Sequence, residues 1–377
     1  MKVSTALVGL VIASFAVHAS GASLGSFIRE KSYDGKLAKT AFVIRDSYPV
    51  TALVWSGDGK YLASASTWSN MVHIWSVNDR KLVRELKLTA AASSFHSLSW
   101  SSDGRFLAVC DGGAGLRVFK AASWDEPRRF DPAILGGCLQ SAFSSDGRQL
   151  AVLNSSVHVL DVSTGQEQNS FDLKKSEPGS RIRAISFVPG TRTLVLAGSA
   201  YVNVPSQTEP LQRSAGFVWI LEDKLPTPQQ KIQVYRPYTV DGGAGSIVSV
   251  SVKNDASQFA TGTRTGDGSG TSITRQSVHI LKFPSGELLG APLDERPFGA
   301  QQGLSYTSDG QYLIVGHQDS ATKAIHIVET RGLQIVDEIV VSDAVADIAA
   351  DPTRAGFAAA FGKQIAGWAI PISPRTH

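Results

Sequence analysis

Short bursts of alternating apolar and polar residues, separated by turn formers, run through most of this chain. Val50 to Leu86 shows the pattern at full length: VTALVWSGDGKYLASASTWSNMVHIWSVNDRKLVREL. An alternating run reaches Trp55, Asp58-Gly59 turns the chain, YLASAS follows, a polar loop leads to VHIWS, and Asn78-Asp79 turns it again into KLVREL. Successive side chains of a strand point to opposite faces, so a period of two with tight turns predicts four short antiparallel strands. Such a unit reads as one blade of a β-propeller.

The turn between first and second strands recurs as SGDGKYLA at 56, SSDGRFLA at 101, SSDGRQLA at 144 and TSDGQYLI at 307. Asp-Gly supplies the positive φ that a tight hairpin requires, so this spacing is structural in origin. Asp58 to Asp103 is 45 residues and Asp103 to Asp146 is 43, the length of a four-stranded blade. Degenerate copies follow at RAISFVPGTRTLVLAGS from 183, SVSVKNDASQFATGT from 249 and ADIAADPTRAGFAAAF from 346. Units starting near 50, 94, 138, 181, 246, 299 and 344 predict an all-β, seven-bladed propeller of four-stranded antiparallel blades. The last unit ends after its third strand, QIAGWAI, which would leave an open edge. GKLAKTAFVIR, 35 to 45, resembles the fourth strands RKLVRELKL and QIVDEIVV, and is expected to complete that blade and close the ring.

Repeats with an Asp-Gly turn after the first strand, and V-x-I-W in the third strand of the first unit, resemble the WD-repeat family of propellers over roughly residues 36–371. Only Ile74-Trp75 keeps the tryptophan of the third strand; the other third strands carry Val118-Phe119, Val159-Leu160, Ile280-Leu281 and Ile327-Val328, and the familiar Trp-Asp and Gly-His dipeptides are read as missing. The reading is therefore of packing without the family's usual Asp-His-Ser/Thr-Trp hydrogen-bond network. Bacterial periplasmic propellers with the same Asp-Gly turn are a related option.

Composition adds a compartment. Lys2, the apolar run Ala6 to Val17 and the small residues of VHASGAS read as a secretory signal over 1–22, cleaved after Ala19 or Ala22. An uncleaved anchor is the alternative, though the run falls short of the ~20 residues a spanning helix needs. The expected layout is signal 1–22, propeller 23–371 and tail 372–377, in a secreted or periplasmic monomer with no membrane span after cleavage. Lys plus Arg number 36 and Asp plus Glu 33, a net charge of +3, so nothing demands nucleic acid, which needs clustered cations. Cys110 and Cys138 fall at neighbouring strand ends on one rim, where they either bridge adjacent blades or serve as small buried apolar residues.

Four third strands place histidine in one slot: His73, His158, His279 and His326. Equivalent positions of successive blades lie on the order of 15 Å apart, whereas zinc ligands converge to within ~2.1 Å of one ion. The slot, held by Arg117 in blade two, is read as a polar interblade position, with no metal and no cofactor. A propeller enzyme would need ligands or acids at the starts of the first strands, which carry Val50, Thr51, His96, Gln140, Arg183, Ser249 and Gln302, with Asp347 further along. One carboxylate and one histidine are too few for a calcium or zinc centre, and no G-x-S-x-G elbow marks a nucleophile. The glycine-rich loops 111–115, 241–245 and 266–270 lead into no helix that could cradle phosphate.

The chain spends its extra residues on one rim: 199–215, 263–276 and 317–323 lie between second and third strands. Elaborated loops on a rigid scaffold are where binding concentrates. Blades four and five would there combine Tyr201, Arg213, Arg236, Tyr238, Arg264 and Arg275, types that recur at interaction hot spots. The expectation is a non-enzymatic exported scaffold that binds another protein or peptide. Unselected insertions are the bland counterpart, and an enzyme or a small-ligand or metal sensor sited in the central channel is the competing class.

Overall fold

The computed structural model describes residues 26–28, 31–88, 95–111, 115–124, 128–129, 137–172, 175, 178–204, 211–222, 228, 230–235, 244–266, 273–275, 277–293, 303–317 and 323–371. The expected signal, the 372–377 tail, Arg236 and Tyr238 lie outside the described residues. Within them, the strands form seven antiparallel sheets arranged as consecutive blades. Innermost strands begin at Ala52, Phe95, Gln140, Arg181, Ala244, Leu304 and Val345, in step with the repeat spacing.

The turn signature works through the residue two before the aspartate. Ser56, Ser101, Ser144 and Thr307 each donate a hydroxyl to the carboxylate of Asp58, Asp103, Asp146 or Asp309, at 2.6–2.7 Å. The same hydroxyls accept the N–H that starts the second strand, from Tyr61, Phe106, Gln149 and Tyr312. The following glycine takes positive φ, 67° at Gly59 and 72° at Gly104, a conformation glycine adopts without steric cost. Second positions of the turn then link blades: Ser102 Oγ donates to the Ser145 carbonyl at 2.6 Å, Asn254 Nδ2 to Ser308 at 2.6 Å, and Ser308 Oγ to Arg354 at 2.9 Å.

Each blade packs against both neighbours, so alternate residues of one strand serve two different cores. In blade one Ala63 joins the cluster shared with blade two, and Leu62 the cluster shared with blade seven. Seven such clusters, one per pair of adjacent blades, account for the near-continuous apolar second strands. Trp75, Trp219 and Trp368 are fully buried among them.

The ring is closed by the N-terminal segment. Lys39–Arg45 pairs with Gln364–Ala369, register Val43↔Ala366, as the outer strand of blade seven. Ser26–Phe27 adds a fifth strand outside it. The lead-in is held by the neighbouring blade: the buried Asp337 carboxylate, on the outer strand of blade six, accepts the N–H groups of Lys36, Leu37 and Ala38. Gly35 is required for that grip, because a Cβ there would meet the Asp337 carboxylate.

One expectation is overturned. Blade one does contain a buried polar chain of the family's kind: Trp75 Nε1 donates to Ser64 Oγ at 2.9 Å, Ser64 Oγ donates to Asp46 at 2.7 Å, and His73 Nδ1 meets Asp46 at 2.8 Å. The aspartate comes from the connection that enters the blade, so the repeat unit read from Val50 onward omits it. Gly-His occurs at Gly316-His317, at the end of blade six's second strand, and Trp124 of Trp124-Asp125 follows blade two's third strand.

Candidate functional site

The elaborated rim is built of strand, which corrects its reading as loop. In blade four the second and third strands, Leu194–Val204 and Leu211–Leu221, each run 11 residues and stay in register from Leu194↔Leu221 to Val204↔Leu211. Most other second and third strands have five or six residues, so this hairpin rises above its neighbours. The cause is legible in hindsight: Ala200 and Ala215 remain buried, and Val202 packs on the cluster between blades three and four, so apolar alternation carries the pairing outward. In blade five Gln258–Gly266 runs nine residues, and Ile273–Arg275 pairs back onto it.

Tyr201 is 54% exposed on the blade-four hairpin and has its ring against Gly179, where a Cβ would lie 2.6 Å from Cδ2. Arg213 pairs with Val202, and Tyr201 with Ser214, so their register positions alternate across the hairpin. Arg264 and Arg275 occupy strand positions opposite Ser246 and Thr265 in blade five. The sequence reading passed over Trp68, which stands 73% exposed in the second-to-third-strand turn of blade one, on this same rim. Leu139, at the entry to blade three, is exposed there too.

Inside this rim opens the central channel, a cavity of about 1420 Å³ lined from Thr51, Gln140, Arg181 and Asp347 down to Gly57, Ser102, Asn254 and Ser308. Innermost strands present a free edge to it, and side chains at one repeated position cover part of that edge. Ser141 donates its N–H to Ser97 Oγ at 3.1 Å, Ile185 to Gln140 Oε1 at 2.9 Å, and Leu53 to Asp347 Oδ2 at 2.9 Å. Each of these links joins one blade to the next, and the last of them spans the seam between blades seven and one. Asp347 also accepts the N–H of Ile348 at 2.8 Å. Burial pushes its carboxyl up to about 7, against the two N–H donors that hold it down. Near their upper ends the innermost strands of blades two, four, five and seven shift register at His96, Arg183, Val248 and Ala346, which are β-bulges.

Three of the four repeated histidines latch strands within blades. His73 Nε2 lies 3.2 Å from Glu85, His158 Nδ1 3.1 Å from Glu167 and His326 Nε2 3.3 Å from Glu338, each glutamate on the outer strand. His326 also meets His317 at 2.7 Å. Burial alone would lower the His73 imidazole, but the Asp46 bond and the charges of Asp46 and Glu85 outweigh it and raise its pKa. Among the described residues no three His, Cys, Asp or Glu groups are placed to share a metal ion. Cys110 and Cys138 form a disulfide between blades two and three, with Cα atoms 5.0 Å apart and both residues buried.

Seven sheets around a polar channel, closed by pairing between the two ends of the chain, define a β-propeller. Residues 39–76, the closing strand and the first three strands of blade one, match the family described as WD domain, G-beta repeat. The chain is 32% identical over 71 residues to autophagy-related protein 18 of Kluyveromyces marxianus, and equally to that of Kluyveromyces lactis. That alignment covers 19% of this chain and only 14% of either relative.

Proposed function

We propose that this propeller is an exported, non-enzymatic scaffold that binds another protein through the raised rim of blades four and five. One observation carries the reading: blade four's second and third strands stay paired well beyond the length of most of their counterparts and expose Tyr201. A strand-built platform costs less ordering entropy on binding than a loose loop would. Propellers of this family commonly bind proteins, and the short segment shared with autophagy-related protein 18 carries no partner over. Export is supported by the leader-like residues 1–22 and by the Cys110–Cys138 bridge, a bond characteristic of oxidising compartments.

The test is affinity capture from the native envelope or culture fluid, with wild type compared to a Tyr201→Ala, Arg213→Ala, Arg264→Ala, Arg275→Ala variant of matched melting temperature. Loss of a specific partner is expected. Retention of every partner removes the surface.

A further inference from the structure

The innermost strand of blade four, Arg181–Phe187, delivers two exposed arginines to the channel mouth. Neither Arg181 nor Arg183 makes an ion pair or side-chain hydrogen bond with the described residues. Their placement has a backbone cause. Ile182 pairs with Gly198 and Ala184 with Ala197, which leaves Arg183 as the extra residue of a bulge. The same register shift recurs in blades two, five and seven, and here Gly198 lies close against it, since a Cβ there would stand 1.9 Å from the Arg181 carbonyl oxygen. Bulges re-aim side chains and concentrate beside functional sites.

Among the described residues lining the channel, little negative charge opposes the pair. The carboxylates among the described channel-lining residues are Asp347 and Asp351. Asp351 is held by Arg354 at 2.7 Å, and Asp347 is occupied by the N–H groups of Leu53 and Ile348.

We propose that the channel mouth is a carboxylate-recognition site for an acidic, extended peptide segment of a partner protein, with Arg181 and Arg183 as its charged contacts. The proposal rests on the protein-binding reading above and specifies its partner. Guanidinium forks match carboxylate geometry in paired hydrogen bonds. A peptide fits better than a small anion because exposed Leu139 lines the channel at the entry to blade three, and Tyr201 on the raised hairpin and Trp68 on blade one stand exposed on the same rim. The channel's volume also exceeds the range of ordinary small-molecule pockets.

The test is selection of a phage-displayed library of random dodecapeptides against the immobilised full chain, followed by fluorescence anisotropy with the selected peptides. Enrichment of Asp or Glu at a fixed position is expected, with binding weakened at least about tenfold in R181Q/R183Q and by added salt. A charge-reversed R181E/R183E variant should select Lys or Arg there instead. Both arginines are exposed, so both variants should melt with the wild type, and Asn203→Asp on the exposed hairpin serves as a folded charge control. Failure to select any peptide overturns the proposal, as does selection without acidic preference or equal binding by R181Q/R183Q. Peptides that depend on Tyr201 and ignore both arginines overturn it while leaving the scaffold reading intact.

Discussion

Asp337 and Leu37 stand 300 positions apart in the chain, yet the carboxylate of the first accepts the backbone N–H of the second at 2.8 Å. Lys36 and Ala38 donate to the same carboxylate, so one buried side chain of blade six fixes the approach of the strand that completes blade seven. Asp337→Ala strands these three donors and the Glu338 N–H, and should cost about 3 kcal/mol or more, read as a lower midpoint in urea. Asp337→Asn, which keeps one carbonyl acceptor, should fall between. A variant with an unchanged midpoint would separate this grip from ring stability. Deletion of residues 35–46 should be more severe, since it also removes the outer strand, and the same titration measures it.

Two groups give the fold an acid preference. His73 has a raised pKa in the fold, so its ion pairs add stability that is complete below the unfolded value near 6.5 and is lost as pH rises through the folded value. Asp347 is raised from 3.8 to about 7. The unfolded chain ionises first, and stability falls as pH climbs from about 4 to 7, with the full penalty above that. Melting temperature should therefore decline from pH 5 to pH 8. Asp347→Asn should gain a few degrees at pH 8 and nothing at pH 4, by calorimetry across that range.

The Trp75, Ser64 and Asp46 chain predicts a sharp local cost. Ser64→Ala leaves the Trp75 indole N–H and one Asp46 oxygen buried without their bond, and should destabilise by about 2 kcal/mol. Ser66→Ala, whose hydroxyl accepts only the Trp68 N–H of the turn beyond, should cost less. Equal losses in chemical denaturation would show that the buried chain has no special weight.

Cys110 and Cys138 are separated by 28 positions. Closing a loop of that length restricts the unfolded chain by about 3–4 kcal/mol at 25 °C on the chain-entropy account. The Cys110→Ala, Cys138→Ala variant should unfold at lower denaturant by that margin, and reducing agent should shift wild type but leave the variant unmoved. Neither change should abolish folding, because an apolar cluster already joins blades two and three.

What the sequence made legible was whatever repeats. The Ser/Thr-x-Asp-Gly turn recurs because each turn needs the same hydroxyl and the same positive φ, so blade count and ring closure followed from spacing. Asp46 was missed because its partners Ser64 and His73 lie 18 and 27 residues further on, across the boundary of the unit as read. The blade-four extension was taken for loop because Pro205 and Pro210 punctuate a stretch whose flanks are paired strand. Arg183 gave no signal, since a bulge shows only in the strand pairing, where it recurs at His96, Val248 and Ala346, residues of unrelated type. Trp68 lay in the best-preserved repeat and was absorbed into it, although its side chain packs into no core.

Closure by Lys39–Arg45 against Gln364–Ala369 also sets a timetable. The strand made nearly first waits for a partner made nearly last, so throughout synthesis blade seven offers unsatisfied main-chain groups and the ring stays open. The ring can complete itself only once residue 369 has arrived. Until then its exposed edge is the segment that a chaperone would have to shield.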